Sequence, residues 1–210
     1  MIDHKTKVCF IHIPKNAGQS VERWFLDLHQ LDHDDRSELH LFKNDFESGL
    51  PRAADHYSYH HYRDHVFGGR VPDDYRMFAI VRDPIARLRS ELSYRFHGRI
   101  PPRALLRLRS MPMRRMFDDF RCHLQTQTSF LEGAEQGRID ILRLESLNDD
   151  FPALMTAYGL PTHCLPRVNS HAGRRRPLPA DVVQWGVDSY AEDFENFGYE
   201  TPDVQLIEAA

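Results

Sequence analysis

Three short apolar segments, each followed by a polar loop and a run with helical periodicity, constrain the fold of this chain more than any other feature. They lie at Lys7–Ile13, Arg76–Val81 and Ile139–Leu144. Strands that are apolar throughout are expected in a parallel sheet that is covered on both faces. Because helices intervene, the sequence predicts a three-layer α/β fold around a central parallel sheet. Ligands should then bind at the carboxyl ends of the strands.

The loop after the first segment, Pro14–Ser20, carries one lysine and one glycine among small polar residues. Apolar residues then recur at i, i+3, i+4 and i+7, which predicts a helix that starts at once: Val21, Trp24, Phe25 and Leu28. A strand, a small-residue loop and a helix N-terminus together form a site for an anion, to which Lys15 adds a cation. The order differs from a Walker A motif, in which the lysine follows the second glycine.

A second junction of the same kind follows the segment Arg76–Val81. Arg82 precedes Pro84, and a proline is favoured at the first position of a helix. The apolar positions that follow have helical spacing: Ile85, Leu88, Leu92 and Phe96. This junction is a second candidate anion site.

The patterns P-K-x-x-G-x-S and R-D-P-x-x-R-x-x-S resemble the two donor loops of sulfotransferases that use 3′-phosphoadenosine 5′-phosphosulfate (PAPS). The first resembles the phosphosulfate loop and the second the loop for the ribose 3′-phosphate. Three further segments resemble the same family: 139–147, 165–170 and 190–199. The resemblance runs from about Val8 to Tyr199 and is closest to the second, carbohydrate-type family.

This resemblance implies a fold related to the P-loop nucleotide kinases, and a donor, PAPS, that leaves as adenosine 3′,5′-bisphosphate (PAP). It implies no metal. The acceptor would be a hydroxyl group, expected on a carbohydrate. The implied donor-binding residues are Lys15, Asn16, Ala17, Gly18, Gln19, Ser20, Arg82, Ser90, Arg174 and Arg175.

Transfer to a hydroxyl group needs a base, and histidine is the natural candidate near neutral pH. By resemblance His56 is the best match, with Asp55 where the family has lysine or glycine. His60 and His61 are the alternatives, and the predicted catalytic residues are Lys15, His56 and His60. Histidine pairs at i, i+4 spacing also allow a metal reading, but the glutamate of H-E-x-x-H is absent. His12 is interpreted as a hydrogen-bonded core residue.

Composition limits the classes of function. The 210 residues suit one domain, 1–210, and the net charge of −4 argues against a nucleic-acid partner. No stretch is apolar enough to span a membrane and no signal peptide is recognised, so we expect a bacterial-type cytoplasmic enzyme. Six arginines between Arg99 and Arg115 suit either a solvated face or an anionic glycan. The three cysteines lack metal or disulfide spacing. The sequence does not indicate the oligomeric state.

Two other functions stay open. A nucleotide kinase or hydrolase would use the same kind of fold, and a protein that binds the donor without turnover would keep the same loops. Gln125 and Gln127, in a stretch that resembles the family's Q-T-x-x-L, either line the acceptor cleft or cap a loop.

Overall fold

The computed structural model describes residues 1–43, 50, 53–96, 118–166, 168 and 177–205. Within these residues the elements follow one another as β1 (Ile2–Asp3), β2 (Val8–Ile11), α1 (Gly18–Leu28), a 3-10 helix (His33–Leu39), a 3-10 turn (Ala54–His56), α2 (Tyr59–His61), a π-turn (Tyr62–Val66), β3 (Arg76–Val81), α3 (Pro84–Arg95), α4 (Asp118–Leu124), α5 (Gln127–Leu131), β4 (Asp140–Arg143), a 3-10 turn (Leu144–Ser146), α6 (Leu147–Ala157), α7 (Ala180–Ser189) and α8 (Ala191–Phe197).

The sheet of the described residues has four strands in the order β1-β2-β3-β4. Strands β2, β3 and β4 are parallel, with Val8 beside Arg76 and Phe78 beside Asp140. The predicted α/β fold with a central, mostly parallel sheet flanked by helices is therefore confirmed. The carboxyl-terminal ends of β2 and β3 are adjacent at the same end of the sheet, and the first loop begins there.

Two features of the sheet differ from the sequence prediction. β1 pairs with β2 in the antiparallel sense, and its two residues are too few to carry a periodic pattern. β4 was expected to be covered on both faces, but within it only Leu142 is buried and Ile141 is 40 % exposed. Asp140, Ile141 and Arg143 are exposed, so β4 is covered less completely than β2 and β3 in the described structure.

The chain divides into two compact units. The first comprises 1–81 and 129–170, and its core packs the aromatic residues of β2 and β3 against α1 and α6. Within it, the Phe10 and Phe78 rings stack at 4.8 Å and Trp24 meets Phe151 edge-on at 5.4 Å. The single domain stays a prediction.

The second unit comprises 82–128 and 171–210. Its core joins α3 to α7 and α8 through Leu88, Val183 and Phe194. Gly186 lies at the closest approach in this core, since a β-carbon there would come within 2.8 Å of the Ile85 side chain. In the described part of the chain, no helix combines the length and the apolar character that a bilayer crossing requires.

Candidate functional site

The loop between β2 and α1 has an unusual backbone. Lys15 has a φ of 72° and Ala17 a φ of 61°, both in the left-handed region. For residues other than glycine this costs on the order of 1–3 kcal/mol each, and such conformations cluster at ligand-binding sites. Between them Asn16 is fully buried, and its Nδ2 donates to the Ile80 carbonyl of β3 at 2.8 Å. The side chain of Asn16 thus holds the loop to the neighbouring strand.

The N-terminus of α1 has no side-chain cap. Ala17 at the N-cap has no side-chain oxygen, and the first turn contains no acidic residue. The amides of this turn and the positive end of the helix dipole therefore meet no carboxylate of their own turn. Lys15 is half-buried, and the Ser20 hydroxyl accepts from the Val168 amide at 3.4 Å. A phosphosulfate group fits the charge and the donors of this loop.

The glycine of the first motif is explained by a neighbouring ring. A β-carbon on Gly18 would lie 1.7 Å from Nε2 of His12 and 2.1 Å from its Cδ2. The φ of Gly18 is not in the left-handed region, so space and not backbone conformation requires glycine here. The His12 imidazole thus fills the position that a side chain at residue 18 would need.

His12 is the centre of a network of ionisable side chains. It is 5 % exposed, and its Nδ1 lies 3.1 Å from Oε1 of Glu22, whose Oε2 accepts from Arg36 at 3.2 Å. Oδ2 of Asp55 lies 3.9 Å from the same His12 nitrogen. The His56 ring is 4.8 Å from the His12 ring, and its Nδ1 lies 3.4 Å from the His12 carbonyl oxygen. The fold thereby places His56 beside the first loop.

Asp55 completes this network electrostatically. Burial alone would raise the pKa of its carboxyl group, but His56, His12, a backbone hydrogen bond and the N-terminal amine together outweigh burial and lower the pKa. Among the described residues, His12, Asp55 and His56 form a group whose potential metal-ligating atoms lie within 4.8 Å of one another. Because the His12 Nδ1 already faces the Glu22 carboxylate, we interpret the group as a charge network.

The other histidines of this region occupy different places. Residues 57 and 58 separate the turn of His56 from α2, so His56 and His60 do not share a helix face. His60 is exposed and His61 accepts from the Ser58 amide at 3.2 Å, as the cap of α2. Burial and the neighbouring histidines lower the pKa of His61 to about 4, so its ring is neutral at pH 7. In the described part of the chain, the pairs His56–His60 and His61–His65 gain no third metal ligand.

In the second predicted loop, which belongs to the second unit, a side chain of the loop caps the N-terminus of α3. Oδ1 of Asp83 accepts from the Ala86 amide at 2.7 Å, and Pro84 occupies the first turn of α3. The N-terminal amides of α3 are thus partly satisfied by a carboxylate, in contrast to those of α1. An anion at this loop would have to be bound by side chains, and of the two predicted residues Arg82 is 8 % exposed and Ser90 is half-buried.

Arg87, also in the second motif, is a structural residue in this fold. It is 1 % exposed, donates to the His123 carbonyl at 3.1 Å and to the Gln125 carbonyl, and packs its guanidinium 5.1 Å above the Tyr190 ring. Gln125 is thus engaged through its backbone. Gln127 is fully buried and bonds to the backbone of the second loop.

Sequence reasoning missed Glu22 as a member of the site. Its signal is a charged residue one helical turn after Gly18, on the same face of α1. The predicted donor residues Arg174 and Arg175 lie outside the described residues, as do Arg99–Arg115.

Comparisons with known proteins agree with the pattern of the loops. A family model described as the sulfotransferase family matches residues 1–200 of the 210. Neither the curated proteins nor the solved structures include a match to the chain.

Proposed function

Because the chain belongs to the sulfotransferase family, we propose that it transfers a sulfuryl group from PAPS to a hydroxyl group, expected on a carbohydrate. The observation that carries this proposal is the first loop. It combines an uncapped helix N-terminus with two left-handed residues, one of which is Lys15, in the loop that follows β2. The carbohydrate acceptor rests on the resemblance to the carbohydrate-type family, and the arginines between 99 and 115 would favour an anionic glycan.

The donor would be bound at both predicted loops. Lys15 and the residues from Asn16 to Ser20 would bind the 5′-phosphosulfate, and Arg82 with Ser90 would bind the 3′-phosphate. The family resemblance adds Arg174 and Arg175 to the 3′-phosphate site. The donor supplies the sulfuryl group, and its phosphate gains negative charge as that group departs. Lys15 and the loop amides are suited to stabilise this charge, the kind of preorganised electrostatics that lowers such barriers most.

His56 is the proposed base. A carbonyl oxygen can only accept, so the contact between Nδ1 and the His12 carbonyl assigns the proton to Nδ1 and the lone pair to Nε2. Nε2 would take the proton of the acceptor hydroxyl group. Asp55 precedes His56, and its carboxylate stabilises the imidazolium that forms. His60, the second predicted candidate, is exposed and bonds to Ser58.

Thermal unfolding in the presence of nucleotides tests the donor. At about 100 times its dissociation constant, PAP should add roughly 2.7 kcal/mol to the free energy of unfolding. For a chain of this length the melting temperature should rise by roughly 5–10 °C. Matched ADP and ATP are the controls. An equal or larger rise with ATP would contradict the proposal in favour of a kinase.

Turnover tests whether His56 is the base. It is measured as the PAP that forms from PAPS in the presence of each glycan of a panel. His56→Ala should lose turnover by about 100-fold or more while PAP binds with unchanged affinity. His65→Ala is the matched control, because this exposed histidine is outside the network. Unchanged turnover in His56→Ala would remove His56 from the mechanism. If the wild-type protein binds PAP but forms no PAP from PAPS with any glycan, the result favours a non-catalytic binding protein.

A further inference from the structure

The side chain of Gln127 pairs with the backbone of Arg82 as a β-strand would. Its Oε1 accepts from the Arg82 amide at 2.9 Å, and its Nε2 donates to the Arg82 carbonyl, also at 2.9 Å. Gln127 is fully buried, and Arg82 is 8 % exposed. Both hydrogen bonds therefore lie away from water, where losing one partner leaves the other group unsatisfied. They fix the backbone of Arg82 immediately after β3.

Asp193 in turn fixes Gln127. Its Oδ2 accepts from the Gln127 amide at 2.8 Å, and its Oδ1 accepts from the amide and hydroxyl of Thr128 at 2.9 and 3.0 Å. The carboxylate is fully buried, and these donors compensate for its lost hydration. Asn196 extends the arrangement by donating to the Thr128 hydroxyl at 3.2 Å.

This series of hydrogen bonds ends at Arg82, the residue that the proposed function assigns to the 3′-phosphate. An arginine side chain binds a phosphate well only if its backbone is held in the right place, because its long stem loses conformational freedom on binding. In the described residues of the second loop, Asp83 caps α3, so its N-terminal amides do not offer the open anion site of α1. The direction of the Arg82 side chain then depends on how the Arg82 peptide is held.

We propose that Gln127 and Asp193 are positioning residues that set the preference of this protein for a donor with a ribose 3′-phosphate. The inference rests on the proposed function, in which Arg82 binds that phosphate. Gln127 acts through the Arg82 backbone and Asp193 through Gln127, and neither residue needs to contact the ligand.

The alternative is that the two residues only stabilise the fold. The ratio of affinities for PAP and adenosine 5′-monophosphate separates these readings, because the two ligands differ only in the 3′-phosphate. Loss of stability alone changes both affinities in the same proportion. Loss of positioning at Arg82 lowers the affinity for PAP and leaves the affinity for the monophosphate nearly unchanged.

Isothermal titration calorimetry with both ligands provides the test. Gln127→Met keeps the length of the side chain and removes both hydrogen bonds, and we expect its PAP affinity to fall roughly tenfold. The monophosphate affinity should change by less than about twofold. Asp193→Asn should shift the ratio in the same direction by a smaller factor. Gln184→Met is the matched control, since Gln184 is exposed on α7 and its amide bonds only to Asp188 in the described structure.

The outcomes distinguish a failure of the proposed function from a failure of the positioning role. If the wild-type protein binds PAP no better than the monophosphate, the proposed function fails at its second loop. If the wild type prefers PAP and Gln127→Met keeps that preference, or loses both affinities equally, the positioning role is wrong. Should Gln127→Met not fold, Gln127→Asn serves, because it keeps an uncharged amide but is one methylene shorter and cannot make both hydrogen bonds to Arg82 in their present geometry.

Discussion

Replacing Gly18 by alanine is the sharpest test of the first loop, because two arguments predict opposite signs. Alanine favours a helix over glycine by up to about 1 kcal/mol, which predicts a more stable protein. The structure predicts the reverse, since the new β-carbon would lie 1.7 Å from Nε2 of His12. To reach even a tight contact, the ring or the loop must move by more than about 1 Å, which close-packed interiors resist.

The ring of His12 has little room to move. It is 5 % exposed, stacks on Phe10 with 5.6 Å between ring centres and lies 3.1 Å from the Glu22 carboxylate. Overpacking of this kind costs about 1–3 kcal/mol, and separating the carboxylate from His12 adds a cost of the same order. We expect Gly18→Ala to lose about 3 kcal/mol of unfolding free energy. At this chain length the melting temperature should then fall by roughly 6–12 °C.

A double-mutant cycle with His12→Ala isolates the cause. Without the imidazole, the substitution at Gly18 should be neutral or slightly stabilising, which gives a coupling energy of about 3 kcal/mol or slightly more. Gly159→Ala is the control for backbone strain alone, because its φ is +73° and no atom lies within 4 Å of the added carbon. Urea unfolding followed by circular dichroism measures all four variants. A Gly18→Ala protein as stable as the wild type, or a cycle without coupling, would refute the reasoning.

Two further predictions concern pH and thiol chemistry. Burial and the charges of His60 and His65 lower the pKa of His61 from 6.5 to about 4, so between these values the unfolded chain binds a proton that the folded chain does not. Stability should therefore fall as the pH drops from 7 to 5, and urea unfolding of His61→Gln should show a smaller fall; an equal fall would exclude this residue as a source. Burial also raises the pKa of the Cys9 thiol to about 12, whereas Cys164 is exposed. Iodoacetamide should label Cys164 in the folded protein and Cys9 only after denaturation, as peptide mass spectrometry would show; early labelling of Cys9 would contradict its burial.

The fold was predictable where a pattern was long enough to repeat. The strand at Arg76–Val81 appears where its apolar run indicated it, and the helix indicated by the spacing from Val21 to Leu28 is present but begins earlier, at Gly18. β1 was not predictable, because Ile2 and Asp3 are too short to show a period and depend on pairing with β2. The exposure of β4 depends on what packs against its faces, which the apolar residues of the strand itself do not encode.

The sequence predicted the two loops of the candidate site but not the side-chain contacts that surround them. The motifs indicated which residues near Lys15 and Arg82 could meet an anion, and those roles stay predictions. The contact between His12 and Glu22 joins the segment after β2 to α1, and Asp193 contacts Gln127 across 66 positions of the chain. No local spacing encodes such pairs.

The contrast between the two helix ends has a consequence for mutational tolerance. At the start of α1 the donors belong to the peptide backbone, so exchanging the side chain of Gln19 leaves its amide in place. Only proline would delete a donor there, because it alone lacks the N–H group. At the start of α3, the carboxylate of Asp83 can be removed by a single ordinary substitution. The open helix end of α1 is therefore a property of the backbone, whereas the closed end of α3 depends on one side chain.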